Sequence, residues 1–453
     1  MPSISTFFGL ETTLRALLAN QAALDTTGHN ISNANTEGYT RQQAVLTASD
    51  SLQVTDGTRQ ATIASLGTGV QIQSYQRIRD QFLDLQYRAQ NMVLGQQTAT
   101  ADSLDQVQTA LAEPGDNGIS NLLTQFWKAW GDVANDPKPG SASRTALVEQ
   151  AKTLTTSING LYSRLTQASS DAQGQYNSLI ASPNGEVAQD AQELANLNQA
   201  IKKAVASGDT PNDLMDRRDL ILDKLSGLGQ VSITDLGNGS LNVGFGDAAS
   251  PLVADTTVNW PQAINNSGAT PPTSAGGKLG ALYDLFKSGG TIETLQTQLN
   301  AVAKDLADKV NALHNPGGSG TNFFSYTSGS EASTIAVNVN AAGVRTGTAA
   351  SAEENDIARA IANLAGGTTD NAYSSFVTGI GSMVQNAQRQ QASSQALVDS
   401  VTSQRASTSG VSMDEEMTNM IKFQRAYQAA ARAMSTMDDM LDIVINRTGR
   451  VGL

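Results

Sequence analysis

Residues 412–446 read SMDEEMTNMIKFQRAYQAAARAMSTMDDMLDIVIN. Within them Met420, Phe423, Tyr427, Ala430, Met434, Met437, Leu441 and Val444 follow one another at alternating spacings of three and four. That period puts all eight side chains on one stripe of an α-helix. Ser412 with Glu415 three residues on is the pattern of a capping box, so the helix is expected to start there. Asp414, Glu415 and Glu416 then sit at the positive end of the helix dipole, with Arg447 and Arg450 at its negative end.

The opposite end of the chain carries a matching pattern. Leu10, Leu17, Leu24 and Ile31 recur every seven residues, with Phe7 and Leu14 at the companion position. This is an a/d seam interrupted by Gln21 and Gly28. The Asn- and Ser-rich run His29 to Asn35 is expected to end that helix, because its side chains compete for backbone hydrogen bonds. One apolar stripe on each terminal helix is too little burial to order either alone. The pattern therefore calls for two terminal helices that pair with each other and with other copies of the chain.

Inward from the ends, further helical stripes follow. Phe82, Leu85, Ala89 and Met92 open one that runs to Pro114-Gly115, and Leu122, Phe126, Trp130 and Val133 make another that stops at Asp136-Pro137. Helices are also expected from about Arg144 to Gln173, along Leu194 to Val205, and after Thr210-Pro211. Leu295 to Leu313 and Phe376 to Ala387 supply two more. Between them the texture changes to period two, as in Val231-Ser232-Ile233-Thr234 and Leu241-Asn242-Val243, with Gly237-Asn238-Gly239 as the turn. The expected architecture is mainly α with a small β insert: residues 1–35 and 411–453 form paired terminal coiled-coil helices. Residues 36–229 and 278–410 form a discontinuous helical-bundle rod, and 230–277 form an inserted β domain held outside it and dispensable for assembly.

Composition narrows the function. The chain has 453 residues, a net charge of −13 and no cysteine. An acidic chain has no basic stripe to neutralise phosphates, so nucleic acid is an unsuitable partner. Without cysteine there are no disulfides and no thiolate nucleophiles or ligands. No apolar run approaches the ~20 residues needed to span a bilayer, so membrane insertion is not expected. The N-terminus lacks the basic start and apolar core of a cleaved signal. Hydrolase, P-loop and dinucleotide motifs are missing, and no catalytic, cofactor or metal residue is singled out. His29 reads as a helix-end residue and His314 as a cap. The charges from Asp213 to Lys224 read as a solvated, ion-paired helix face.

The residues at both ends resemble those of flagellar axial proteins, whose subunits polymerise through terminal helices. Asn30-Ile31-Ser32-Asn33-Ala34-Asn35-Thr36-Glu37-Gly38-Tyr39 is similar to their shared N-terminal signature, with Glu37 at a position that is often Pro. Thr40-Arg41-Gln42 and the runs 410–417 and 423–432 are closer to the FlgK family, the first hook–filament junction proteins. Residues 212–219, the strand at Gly239 to Val243, Gly277 to Leu282 and Asn311 to His314 extend the likeness. The resemblance implies a structural subunit that is not an enzyme and binds no cofactor. It implies a ring of copies between hook protein and the second junction protein. It also implies type III export to the extracellular flagellum without signal cleavage, and a cytoplasmic chaperone that holds the C-terminal helix beforehand. Another axial subunit (hook, rod or flagellin-like) is the alternative, and a wall-directed enzyme carried on the flagellum a more distant one. Two stripes are then candidate contact sites. Phe7, Leu10, Leu14, Leu17, Leu24 and Ile31 would pack against other subunits. Met420, Phe423, Tyr427, Met434, Met437, Leu441 and Val444 would do so as well, and would also meet the chaperone. Family members often carry a further outer domain for which this middle region is short.

Overall fold

The computed structural model describes residues 7–55, 62–111, 113–115, 118–181, 183–247, 250–259, 275–348 and 354–447. Its helices begin and end where the sequence places breakers. Helix α1 is Phe8–Ser32 and gives way at Asn33. Helix α2, Gln81–Leu111, stops before Pro114-Gly115, and α3, Ile119–Asn135, stops at Asp136-Pro137. Next come α4 (Ala142–Ile180), α5 (Glu186–Ala206) and α6 (Asn212–Leu228), the last starting directly after Pro211. Helix α4 runs past the expected end at Gln173 because Tyr176 and Ile180 are buried. Helices α7 (Gly277–Phe286), α8 (Thr291–His314), α9 (Glu331–Thr334) and α10 (Asp356–Ala362) lead to α11, Thr368–Ser409. Gly410 breaks that run, and α12 is Met413–Asp442. Arg450 lies outside the described residues, so its place at the helix end is not described.

The stripes of α3, α8 and α11 form the rod core. Leu122, Phe126, Trp130 and Val133 are all buried, as are Leu295, Leu299, Val302, Leu306 and Val310. Phe126 and Trp130 meet Phe323 and Phe324 in an aromatic cluster with ring centroids 4.8–6.4 Å apart, distances at which ring quadrupoles attract. Helix α2 packs along α11, α6 and α7, and α4 along α3, α7 and α8. Where α2 crosses α6, a Cβ on Gly95 would fall 2.0 Å from the Gly227 carbonyl oxygen, so only glycine allows this approach.

His314, the last residue of α8, is buried rather than a simple cap. Its Nε2 accepts the Arg345 N–H at 2.9 Å, so Nδ1 carries the proton and donates to the Thr321 carbonyl at 3.1 Å. Burial, only partly opposed by the Thr321 bond, lowers its pKa to about 4. The sign follows from linkage: the unfolded chain takes up a proton near pH 6.5 that the folded chain refuses until about pH 4. His314 therefore leaves stability intact above pH 6.5 and removes it as pH falls toward 4, by roughly 3 kcal/mol at most. Thermal melts of wild type and His314→Gln across that window should show a steeper loss in wild type. Equal slopes would contradict the assignment.

Two β regions differ from the expected layout. Within residues 42–77, assigned to the helical rod, four strands form two antiparallel pairs. Strand β1 (Gln42–Ala48) pairs with β4 (Val70–Arg77), and β2 (Leu52–Thr55) with β3 (Thr62–Leu66). The alternation Val70-Gln71-Ile72-Gln73 is the period-two signal that this pairing uses. Second, the sheet β5-β6-β7-β8 (Val231–Asp235, Leu241–Phe245, Val253–Ala254, Thr257–Val258) is not held outside the rod. Leu241, Val243, Phe245, Leu252 and Val253 are buried in the same core as the helices. Asn198 of α5 donates to the carbonyls of Leu241 and Asp255, and Arg218 of α6 to that of Gly239. The turn at Gly237 to Gly239 lies where the sequence puts it. The sheet belongs to the wall of the rod because its inner face has no other partner.

Candidate functional site: the terminal helix pair and its polar neck

Asn30 Nδ2 of α1 donates to Glu416 Oε2 of α12 at 3.0 Å. A Cβ on Gly9 would lie 2.7 Å from Met437 Sδ. From Gly9 to Asn30 and from Glu416 to Met437 are equal steps of 21 residues, so the helices run antiparallel over about 32 Å at 1.5 Å per residue. This register sets Phe423 opposite Ala23 and Tyr427 opposite Ala19. Phe423 shares a groove of about 530 Å³ with Ala23, Thr26, Thr27 and residues 42–46 of β1. The bulky stripe of α12 thus lies over the small residues of α1.

This changes the expected pairing of the two stripes. The buried positions of α1 are Ala19, Ala23, Thr26, Thr27 and Asn30, not the leucine seam. At 100° per residue, Leu17 and Leu24 project more than 100° round the helix from the centre of that buried face. Leu10, Leu17, Leu24 and Ile31 are half-buried, whereas Phe7 and Leu14 are exposed, together with Leu18. On α12, Met420, Phe423, Tyr427, Met434, Met437 and Leu441 are half-buried, but Val444 is 53% exposed. Met413, Met417, Ile421 and Met440 are exposed on other sides of the helix. Small residues win the contact with α12 because they let two backbones approach, which leaves Leu14 and Leu18 facing outward. Among the described side chains, α12 buries only Glu416.

At its start, α12 forms half of the expected capping box. Ser412 Oγ accepts the Glu415 N–H, while the Glu415 carboxylate turns to Arg41 Nη1 at 2.9 Å. Glu416 takes Arg41 Nε at 2.7 Å as well as Asn30, so its role goes beyond dipole compensation. The Tyr39 phenol donates to Asn30 Oδ1 at 2.8 Å. Burial, then Asp213, Asp216 and Glu416, push its pKa above the ordinary range, so it stays a donor.

Below this point lies a set of charges whose role the sequence reading missed. Asp213, Arg217 and Lys224 of α6 are exposed as expected, but Asp216, Asp219 and Asp223 are not on a solvated face. Asp216 accepts the Thr40 N–H at 2.9 Å and Arg77 Nη1 at 2.8 Å. Asp219 takes Arg77 at 2.8 Å, Arg79 at 2.6 Å and Arg88 at 3.3 Å. Arg79 also meets Asp84, Arg88 meets Asp223, and Arg405 of α11 bridges Asp84 and Asp223 at 2.9 and 2.8 Å. At Asp219, burial opposes ionisation but is outweighed by Arg79, Arg77 and Arg88, which hold the carboxyl below its usual range. At Asp216, burial outweighs Arg77 and Thr40 and raises it. A signal was present: Asp216, Asp219 and Asp223 recur at three and four, the spacing of a core stripe written in aspartate. The first turns of α2 show the complement. Asp84 and Arg88 face inward, while Phe82 and Leu85, expected on the buried stripe, are 71% and 63% exposed.

Among the described residues there is no group of three or more metal-ligating side chains, and no helix is long and apolar enough to cross a membrane. The site offers surfaces and fixed geometry.

Three family models match parts of this chain: the flagellar hook-associated protein FlgK helical domain over residues 104–324, the C-terminal region of flagellar basal body rod FlgEFG proteins over 395–447, and flagella basal body rod proteins over 10–40. Flagellar hook-associated protein 1 of Bacillus subtilis (strain 168) is 31% identical over 98% of this chain and 99% of its own length. The protein of that name from Salmonella typhimurium is 32% identical over 69% of this chain and 58% of its length. A solved structure, the flagellar hook junction protein FlgK from Burkholderia pseudomallei, overlaps 53% of this chain and 46% of its own. It does so at 22% identity and a TM-score of 0.44.

Proposed function

Since this chain belongs to the flagellar hook-associated protein 1 family, we propose that it joins hook and filament by polymerising through α1 and α12. It is a structural flagellar protein of the hook–filament junction. The two terminal matches are shared with rod proteins, and the match over residues 104–324 separates it from them. The observation that carries the assembly reading is the unfilled apolar surface of the terminal pair. Leu14, Leu18, Met417 and Ile421 are each 45–56% exposed, on helices that bury almost no apolar side chain inside the chain. A contact from one face of a copy to a different face of the next propagates as a ring or helix, which suits a segment of a tubular axis. The hook protein and the second junction protein would lie on either side of it. Export through the type III apparatus without signal cleavage, and a chaperone that covers the α12 stripe before export, complete the reading. The relatives are named as flagellar hook-associated proteins, and no step here requires catalysis.

The purified chain should form rings or tubes above a threshold concentration, visible by negative-stain electron microscopy. A chain that stays monomeric at every concentration and salt tested would overturn the reading. In dilute monomer, limited proteolysis should remove α1 and α12 first and leave a stable fragment near residues 40–410, because the apolar core lies in the rod. Equal resistance of the terminal helices and the rod would contradict assembly-coupled ordering.

A further inference from the structure

The charges of the neck close into a ring. From Arg79 the contacts pass to Asp84, Arg405, Asp223, Arg88 and Asp219, and return to Arg79, alternating in sign throughout. Arg77 attaches to this ring through Asp219, and Asp216 through Arg77 and, at 3.8 Å, Arg79, giving four arginines against four aspartates. All eight side chains are less than a fifth exposed. Arg405 also lies over the Tyr87 ring, 4.4 Å from its centroid.

Its position in the fold gives the ring a role. The chain passes only twice between the terminal part (α1, α12 and strands β1–β4) and the rod: from β4 into α2, and from α11 into α12. Arg77, Arg79, Asp84 and Arg88 flank the first crossing, and Arg405 stands just before the second. The other three aspartates come from α6, between the two. Buried polar residues gather around the neck, namely Thr40, Asp84, Arg88, Asn212, Asp216 and Arg218, alongside the apolar Ile221 and Leu222 of α6 and Val401 of α11. Apolar contact is non-directional and lets two surfaces slide. Forked guanidinium–carboxylate pairs fix angle as well as distance.

We propose that this ring is a hinge lock that sets the angle between the terminal part and the rod. It holds one orientation by directional ion pairs where apolar contact would leave several. Asp219, touched by three arginines, is its keystone. Removing its charge leaves guanidinium groups of Arg77, Arg79 and Arg88 short of a partner in a half-dry site, which favours any tilt that gives them water. Hydrogen bonds such as Asn212 to the Tyr75 carbonyl, 3.1 Å, would remain and keep the parts associated.

The test uses the full chain as a dilute monomer, so it does not depend on assembly. Because the sequence has no cysteine, Gln71→Cys on β4 and Thr153→Cys on α4 give two unique spin-label sites. Pulsed electron–electron resonance should show one narrow distance distribution in the otherwise wild-type chain. Asp219→Asn should broaden it at least twofold or add a second distance, and Arg405→Gln should do the same from the other crossing. Arg405→Lys should recover only part of the effect. Glu193→Gln, which breaks the exposed pair with Arg217, should change nothing. Melting of the rod core, followed by Trp127 and Trp130 fluorescence, confirms that each variant is folded. Folded variants with wild-type distance widths would overturn the proposal, as would a broad distribution in wild type itself.

Discussion

Phe423→Glu is expected to abolish polymer formation by the purified chain while leaving the rod folded. Phe423 is half-buried over Ala23, Thr26 and Thr27, and the α12 stripe is shared between the intrachain pair and the surface offered to neighbours. Lys422 Nζ, 5.9 Å from the Phe423 ring centroid, offsets only part of the cost of a carboxylate there, because burying one costs several kcal/mol where its pairing is incomplete. Every copy in a polymer repeats the defect, so the threshold concentration should rise at least ~100-fold, about 2.8 kcal/mol per contact at 1.4 kcal/mol per factor of ten. Tyr427→Glu should act alike. Gln428→Glu and Arg432→Glu lie at exposed positions off the stripe and should shift assembly far less. If the chaperone takes the same face, as helix-in-groove recognition through Met-rich anchors would require, the stripe variants should lose chaperone binding in calorimetric titration as well. Normal assembly by Phe423→Glu would reduce α12 to an ordinary intrachain helix.

The second large effect concerns the sheet β5–β8. Replacing residues 231–258 with a Gly/Ser linker should unfold the rod. Five buried side chains would go (Leu241, Val243, Phe245, Leu252 and Val253), each contributing ~1.5–3 kcal/mol. That loss of about 7–15 kcal/mol matches the whole stability of a typical domain, ~5–15 kcal/mol. Asn198, Lys202 and Arg218 would also lose partners. Insoluble protein or the absence of a cooperative melt is the expected outcome. A truncated chain that melts within a few degrees of wild type would restore the picture of an appended domain.

These two cases show which features were legible in the sequence. The helices of the rod could be read because α3, α8 and α11 bury one stripe each, and Pro or Gly marks their ends. The terminal helices were legible for the same reason, but their partner faces were not. Periodicity shows that Leu10, Leu14, Leu17 and Leu24 share a face. It does not show that Gly9, Ala19 and Ala23 make the closer surface for α12. Strands β1 and β4 escape notice because they are half-exposed and rich in Gln. The integration of β5–β8 escaped because chain order reveals an insertion and not what its inner face covers. The neck is hidden for a physical reason: Asp216, Asp219 and Asp223 at helical spacing look solvated unless the arginines that meet them, 130 or more residues away, are known to fold onto them.

The central claim is that neighbouring copies cover the outward apolar faces of α1 and α12. Single cysteines at Leu14 and Ile421, in a chain that has no others, allow this to be measured by alkylation rate in monomer and in sedimented polymer. The account predicts rapid alkylation of both in monomer and at least tenfold slower alkylation in polymer, with a cysteine at Thr153 on the rod unchanged. Equal rates at Leu14 and Ile421 in monomer and polymer would contradict it.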